Sequence, residues 1–361
     1  MKNQGADAPR SPMMARYNGA VVDGDIPVPV PRVRVMNKAI FLRRCSLFLG
    51  CAAALAVPSG CGWMSWWRPT VCPTGPAFAA DALADYLPDD AGAVYTLNLR
   101  QTLASPAGRR LADPMRRFLD TEKDNHPWMD DLGIDPINDV DWAQFIFCPP
   151  DLDRPLVLLR GRIDPARFAV GPGKLRQTSD GQFSFFELPG RPTSLAMVGD
   201  YLVVCDSRPR FLAALNYAAA PRPAVLEDAR LAGLLRQVDR KQSVWLAVSL
   251  GKLGPIPRLG DLGLETVLRP VLRHADSVSG GVTTADDVRG DFVFRAHTDA
   301  DAKDLDQDLI ASCTVAQGAY LLPGLDPSLL PLLEFMGTGA TARDGRDITL
   351  RCRLAADRLA P

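Results

Sequence analysis

Residues 180–205 read Asp180-Gly-Gln-Phe-Ser-Phe-Phe-Glu-Leu-Pro-Gly-Arg-Pro-Thr-Ser-Leu-Ala-Met-Val-Gly-Asp-Tyr-Leu-Val-Val-Cys205. Two apolar runs in this stretch, Gln182–Leu188 and Tyr201–Cys205, each follow a glycine-containing pair, Asp180-Gly181 and Gly199-Asp200. Glycine tolerates the positive φ of a tight turn, and aromatic or β-branched runs beside such a turn read as hairpin strands. Neighbouring hairpins imply antiparallel pairing. Working outward, further strands are predicted at residues 93–99, 143–148 and 155–160, and a helix at Gly108 to Leu119.

Helical periodicity is plain at Leu231, Leu234, Leu235 and Val238, spaced i, i+3, i+4, i+7. Leu264, Val267, Leu268 and Val271 repeat it, with Pro270 ending or kinking the helix. Asp-Pro recurs at Asp113-Pro114, Asp135-Pro136, Asp164-Pro165 and Asp326-Pro327. An aspartate accepts from free N–H groups at a helix start, and proline suits the first helical position. These aspartates therefore read as caps rather than acids.

The fold predicted is α+β, with antiparallel sheets, helices packed on one face, and two related units. Val94-Tyr95 to Leu103 is similar to Val244-Trp245 to Leu253 at an offset of 150. Leu158 to Asp164 matches Val293 to Asp299 in kind, a strand leading into an Asp-capped helix. A strand ending in cysteine, at Cys205 and at Cys352, closes each half. Chance similarity between ordinary α+β units is the alternative. The units would be residues 86–225 and 226–361, divided at the proline-rich Ala220-Pro-Arg-Pro-Ala-Val225.

Before this body lies a different kind of sequence. Arg43 and Arg44 precede an uncharged run from Cys45 to Val57, and then Pro58-Ser-Gly-Cys61. Paired cations, a short apolar run and small residues before a cysteine make a bacterial export signal. The arginines stay on the cytoplasmic side while the apolar run enters the bilayer. Residues 36–61 are thus an export signal or membrane anchor. Residues 62–85, rich in Trp, Pro, Gly and Ala, form a tether. Residues 1–35 are a disordered or extraneous extension, with Met36 or Met14 the expected start.

The signal admits three endings. Pro58-Ser59-Gly60-Cys61 resembles a bacterial lipoprotein box, in which Cys61 becomes the lipid attachment site. Pro58 departs from that pattern, where an aliphatic residue is expected. Uncut, the uncharged stretch from Cys45 to Trp67 is long enough to cross a bilayer core of roughly 30 Å, with Trp63, Trp66 and Trp67 in the outer interface. Cleavage after Ala79 would instead release a soluble protein. In all three the body faces the envelope.

Net charge is −1 over 361 residues, so no global field favours nucleic acid. The balance conceals an asymmetry: residues 1–44 carry eight Lys/Arg against three Asp/Glu, net +5, leaving −6 for the rest. The basic end belongs to targeting. Among the eight cysteines there is no C-x-x-C spacing, so no zinc site is predicted. Cys205 and Cys352 read as buried thiols, with a disulfide between them as the alternative in an oxidising compartment.

The run Leu87-Pro-Asp-Asp-Ala-Gly-Ala-Val-Tyr-Thr-Leu-Asn-Leu-Arg100, followed by Leu103-Ala-Ser-Pro106, resembles bacterial exported or lipoprotein-type envelope proteins of unknown function. Those proteins join an export signal to α+β units that open on a Leu-Pro-x-Asp-Ala segment. The resemblance implies location and fold, and no activity.

Candidate chemistry is sparse. His126, in a polar loop, lies near Cys148 in sequence, but a Cys–His–Asp nucleophile needs imidazole and thiol within hydrogen-bond reach. His274 and His297 show no H-x-H or H-E-x-x-H spacing. The acidic run Asp299 to Asp308 fails as a calcium loop, lacking glycine at Asp304 and glutamate at Ile310; it reads as an acidic helix start. Gly171-Pro-Gly173 and Gly337-Thr-Gly339 lack the context of a phosphate loop. Ser277-Val-Ser-Gly-Gly is no nucleophile elbow. Leu329 to Met336 reads as a core helix. No catalytic residue, metal ligand or cofactor site is predicted.

The expectation is a non-enzymatic envelope protein, tethered to a membrane by its N-terminal segment and meeting another envelope component through an α+β surface. Its rivals are a carrier for an apolar ligand such as lipid or peptide, and a hydrolase built on His126 or His274.

Overall fold

The computed structural model describes residues 85–359 except 113–128, 130–131, 153, 165, 170–174, 221–225, 254–270, 272 and 319–329. These residues belong to one unit of the chain, Ala39–Pro361. The export segment, Cys61, His126, the caps at Asp113 and Asp326 and Leu264, Val267 and Leu268 of the expected helix lie outside them.

Residues 86–225 supply β1 (Ala93–Leu97), β2 (Val140–Phe147), β3 (Leu156–Gly161), β4 (Arg176–Asp180), β5 (Phe183–Glu187), β6 (Ser194–Val198) and β7 (Tyr201–Cys205). Residues 226–361 supply β8 (Val244–Ser249), β9 (Ala275–Thr284), β10 (Asp287–Ala296), β11 (Ala340–Asp344) and β12 (Asp347–Ala355). All join one twelve-stranded sheet in the order β11-β12-β10-β9-β8-β1-β2-β3-β7-β6-β5-β4. Each pairing is antiparallel. The plural sheets of the sequence reading are therefore one. β1 is the reason, because it pairs with β2 on one side and β8 on the other.

The hairpin turns fall where the glycines placed them: Gly181 has φ +56° between β4 and β5, and Gly199 has φ +59° between β6 and β7. β1 stops earlier than predicted. Asn98 accepts from the Gln101 amide and caps α1 (Leu99–Ala104), so the strand ends at Leu97. Ser105 caps α2 (Pro106–Arg109) in the same way, accepting from Gly108 N–H at 2.8 Å.

Helices cover both faces, not one as expected, because the central strands bury both. Every residue of β1 and β7 is buried, which one-sided packing could not achieve. On the first face, Tyr95, Val244 and Phe294 pack under Leu99 of α1, Ala107 of α2 and Phe168 of α3 (Ala166–Ala169). Farther along that face lies the 20-residue α7 (Asp299–Gly318), with Leu305 and Cys313 turned inward. Phe335 of α8 (Leu330–Gly337) joins them, so that apolar stretch is core as read. On the second face, Val94, Trp245 and Ala247 pack under Phe211 and Leu215 of α4 (Arg208–Ala219) and Leu231 and Leu235 of α5 (Ala229–Gln237). A short α6 (Leu250–Leu253) follows β8.

The Asp-Pro motifs behave as acceptors. Asp164 Oδ1 accepts from Ala166 N–H at 2.9 Å at the start of α3. Asp135 accepts from Ile137 and Asn138, but closes a turn rather than a helix. For α7 the cap is Thr298, whose hydroxyl accepts from Asp301 N–H, with Asp299 inside the first turn.

Both ends of the sheet are guarded by short polar strands. β4, Arg-Gln-Thr-Ser-Asp, and β11, Ala-Thr-Ala-Arg-Asp, bury no residue. Charged, five-residue edges discourage unwanted strand addition. Their cost is small, since no core residue is spent there.

Phe185 is the best single probe of the second face. It is fully buried, 5.1 Å from the Phe211 ring, with the Arg208 guanidinium 5.3 Å above it. Phe185→Ala is expected to lose about 3–5 kcal/mol of unfolding free energy in a urea titration. A loss under about 1 kcal/mol would show that α4 is not packed as described.

Candidate functional site

Three polar constellations stand out, and they differ in what they can do. The first lies at the N-terminal end of the described residues. Residues 85–92 form a strap across the second face. Asp85 pairs with Arg240 at 2.8 Å, and Tyr86 lies against Tyr217 at 4.8 Å. The Asp89 backbone carbonyl accepts from Glu227 N–H at 3.0 Å. Asp90 pairs with Arg210 at 3.0 Å, and the same guanidinium reaches Asp151 at 3.5 Å. Arg210 is well shielded, 15% exposed, so this ion triad is worth more than a surface pair.

Cys148 lies beside that triad, and its surroundings disfavour the thiolate. Burial, and then the Asp90 charge, lift its thiol from the ordinary 9.0 to about 12. The thiolate is the nucleophilic form, and these surroundings hold its population down. His126, its imagined base, lies outside the described residues. Cys205 is lifted as well, mainly by burial. Cys148, Cys205, Cys313 and Cys352 are all free and buried. Cys205 belongs to the second-face core and Cys352 to the first, so the sheet itself separates them and the alternative disulfide does not form.

The second constellation gathers both described histidines, which the sequence placed on a helix end and a strand. The β9–β10 hairpin brings them together, with His297 N–H donating to the His274 carbonyl at 3.1 Å. His274 Nδ1 lies 2.9 Å from Asp301, and His297 Nδ1 lies 3.6 Å from Asp276. Arg230 of α5 also pairs with Asp276. The Thr298 hydroxyl, and after it His274, hold the Asp301 carboxyl below the usual carboxylate range. Each imidazole is committed to its own aspartate. Among the described residues no group of three His, Cys, Asp or Glu side chains could hold a metal ion. The node ties α5, β9, β10 and α7 together.

The third is a surface. α5 and α6 reach as far as β9, but no residue of β10–β12 belongs to the core under α4 and α5, so among the described residues the second face of these three strands carries no helical cover. Side chains on one face of a strand alternate, which puts Arg289, Asp291, Val293 and Arg295 of β10 on this face. Opposite them on β12 stand Arg353, Arg351, Thr349 and Asp347 in turn. Asp291 pairs with Arg351 at 3.2 Å and Arg295 with Asp347 at 3.8 Å. Asp287 receives Arg289 at 2.9 Å and Arg353 at 2.5 Å. Burial raises the Asp287 pKa, but these two guanidinium donors outweigh it and hold it low. Val293 stands at the middle, 36% exposed, one of three large apolar side chains exposed among the described residues.

Sequence reading missed this surface. The signal was present in the alternation of β10, Asp-Val-Arg-Gly-Asp-Phe-Val-Phe-Arg, where one face is charged and the other apolar. What was hidden is the partner strand, more than fifty residues away in the chain, that sets each charge beside its opposite.

The buried thiols give a pH test. The values of Cys148 and Cys352 are both lifted to about 12 from 9.0, the latter by burial and then by Cys313. Their folded values lie above the unfolded ones, so the stability they contribute is whole below about pH 9 and is lost as pH rises through about 12. Unfolding free energy measured from about pH 8 to about pH 11 should fall, and fall less in the Cys148→Ala/Cys352→Ala variant. Equal slopes for the two proteins would contradict the assignment.

No protein-family profile and no curated protein matches this chain. A solved structure titled "Structure of crystal form I of TP0453" is similar over 81% of this chain and 96% of its own, at 9% identity and a TM-score of 0.40. A likeness so distant transfers neither fold nor role.

Proposed function

We propose that the chain is a non-enzymatic protein of the bacterial cell envelope, held to a membrane by its N-terminal segment, whose α+β body meets another envelope component. The observation that carries this reading is the order Arg43-Arg44, uncharged Cys45–Trp67, then the α+β body described from residue 85 onward. Paired cations before an apolar run orient such a segment with its C-terminal side outward. The strap at residues 85–92 supports a tethering role: pinned by Arg210 and Arg240, it passes any pull on the tether to the sheet rather than to a loose end. The uncovered face of β10–β12 gives the body a surface to offer. No helix among the described residues is long and apolar enough to cross a membrane.

The same reading takes residues 86–225 and 226–361 as related units. Outward from the centre, the first runs β1-β2-β3-β7-β6 and the second β8-β9-β10-β12-β11, each with a helix between its third and fourth strands. In the first unit a further hairpin strand pair, β4 and β5, extends the row. The antiparallel meeting of β1 and β8 is what a two-fold relation between such units requires.

Cell fractionation with mass spectrometry of the mature N-terminus tests the address. The expected result is membrane association, with a lipid-modified Cys61 or an intact segment through Trp67. The Arg43→Glu/Arg44→Glu variant should stay inside the cell. A native protein found in the cytosol with residues 45–67 uncut would overturn the proposal.

A further inference from the structure

We infer that the uncovered face of β10, β12 and β11 is a self-docking surface that a second copy of this chain covers. The argument starts from its charge order. In the row across β10 and β12 at Asp291, the signs run minus then plus, Asp291 and Arg351. Two rows away they run plus then minus, Arg295 and Asp347, with Asp344 of β11 adding a second negative charge beside Asp347. Between these rows lies an uncharged one, Val293 and Thr349, continued on β11 by Ala342. The four charges are well exposed, at 58%, 71%, 47% and 44% in the order named, and so is Val293 at 36%.

Such a chequer is its own complement. A two-fold axis lying along the uncharged row reverses strand direction and lays each row of one copy over its opposite in the other. Asp291 then faces the second copy's Arg295, and Arg351 faces its Asp347. Val293, Thr349 and Ala342 each meet themselves, small and uncharged side chains at the centre of the contact. Two sheets packed this way lie about 10 Å apart, strands near-aligned. A two-fold contact pairs one patch with itself, the commonest way that soluble chains associate.

Other occupants fit less well. On this face Asp287, Asp291, Asp344 and Asp347 balance Arg289, Arg295, Arg351 and Arg353, so the patch has no net sign to draw a polyanion or an anionic bilayer. It presents one large apolar side chain, which is too little for an apolar groove. The polar edge strand β11 borders the patch without covering it. Three rows over three strands span roughly 20 Å by 15 Å at ordinary sheet spacings, less than the roughly 800 Å² per partner of a standard interface, so association in solution is expected to be weak. Copies held on a common membrane gain effective concentration and associate more readily.

This inference shares the uncovered face with the proposed function but not its address. A cytosolic chain would dimerise as well, and a monomer could still be exported. The test is sedimentation equilibrium of the full-length protein in a density-matched detergent, with a cysteine placed at the two-fold centre as a second readout. Wild type is expected to show a concentration-dependent dimer in the micromolar range. Val293→Asp should weaken it by at least about ten-fold while leaving thermal unfolding and circular dichroism unchanged. Asp291→Arg alone should weaken it too, by setting like charges face to face. Swapping all four charges together (D291R, R295D, D347R, R351D) restores every pairing within and between copies and should restore the dimer. Val293→Cys should crosslink to itself under a short bismaleimide, and Arg176→Cys on the far edge should not. A wild type that stays monomeric at the highest soluble concentration, or a dimer indifferent to Val293→Asp and to the charge reversals, would overturn the inference.

Discussion

The pairing of β1 with both β2 and β8 is the constraint on which the rest of the structure depends. β1 is five residues long, wholly buried, and hydrogen-bonded along both sides. A strand paired on both edges and covered on both faces leaves its backbone no alternative partner, because an unpaired buried N–H or C=O costs about as much as a lost hydrogen bond. Through β1 the strands of residues 86–225 and those of residues 226–361 become one sheet. Each core cluster accordingly draws residues from both.

From that joint the asymmetry of the molecule follows. In the first unit both faces of the sheet are buried, one by α4, the other by α1–α3, and α5 carries the second-face cover on over β8 and β9. In the second, α7 and α8 cover one face, and the other turns polar as β9 gives way to β10 and β12. The change can be followed along a single row on the second face: Gln144 and Thr96 pass to Trp245, then Gly281, then Asp291 and Arg351. Gly281 marks the change of character. A Cβ there would meet the Val244 carbonyl at 2.1 Å and the Gln242 side chain at 2.4 Å, so only glycine lets the strands and that side chain approach so closely. Beyond it the face is held by ion pairs rather than by packing.

Local chemistry made much of this legible from residues alone. The glycine turns at Gly181 and Gly199, the apolar period of α5 and the aspartate acceptor at Asp164 act over a few residues and emerge as read, while Asp135 accepts as expected but closes a turn rather than a helix. What was not legible depends on partners distant in sequence. β4 carries no apolar residue, so no alternation announces it; it is a strand because β5 needs an edge. The burial of both faces of β7 could be suspected from Tyr-Leu-Val-Val-Cys, yet which helices supply the cover could not. The histidines at 274 and 297 looked isolated until the β9–β10 hairpin joined them. The candidate surface was hardest of all, because it is defined by cross-strand register between β10 and β12, and register is a property of the fold rather than of either strand.

Native-state amide hydrogen exchange resolved by residue tests the central joint most directly. If β1 unites the sheet, the amides of Val94–Leu97 and Val244–Val248 exchange only through global unfolding, with one opening free energy that matches the value from denaturant melts. If residues 86–225 and 226–361 instead open separately, with the β1 and β8 amides exchanging well below that energy, the account of a single continuous sheet is wrong.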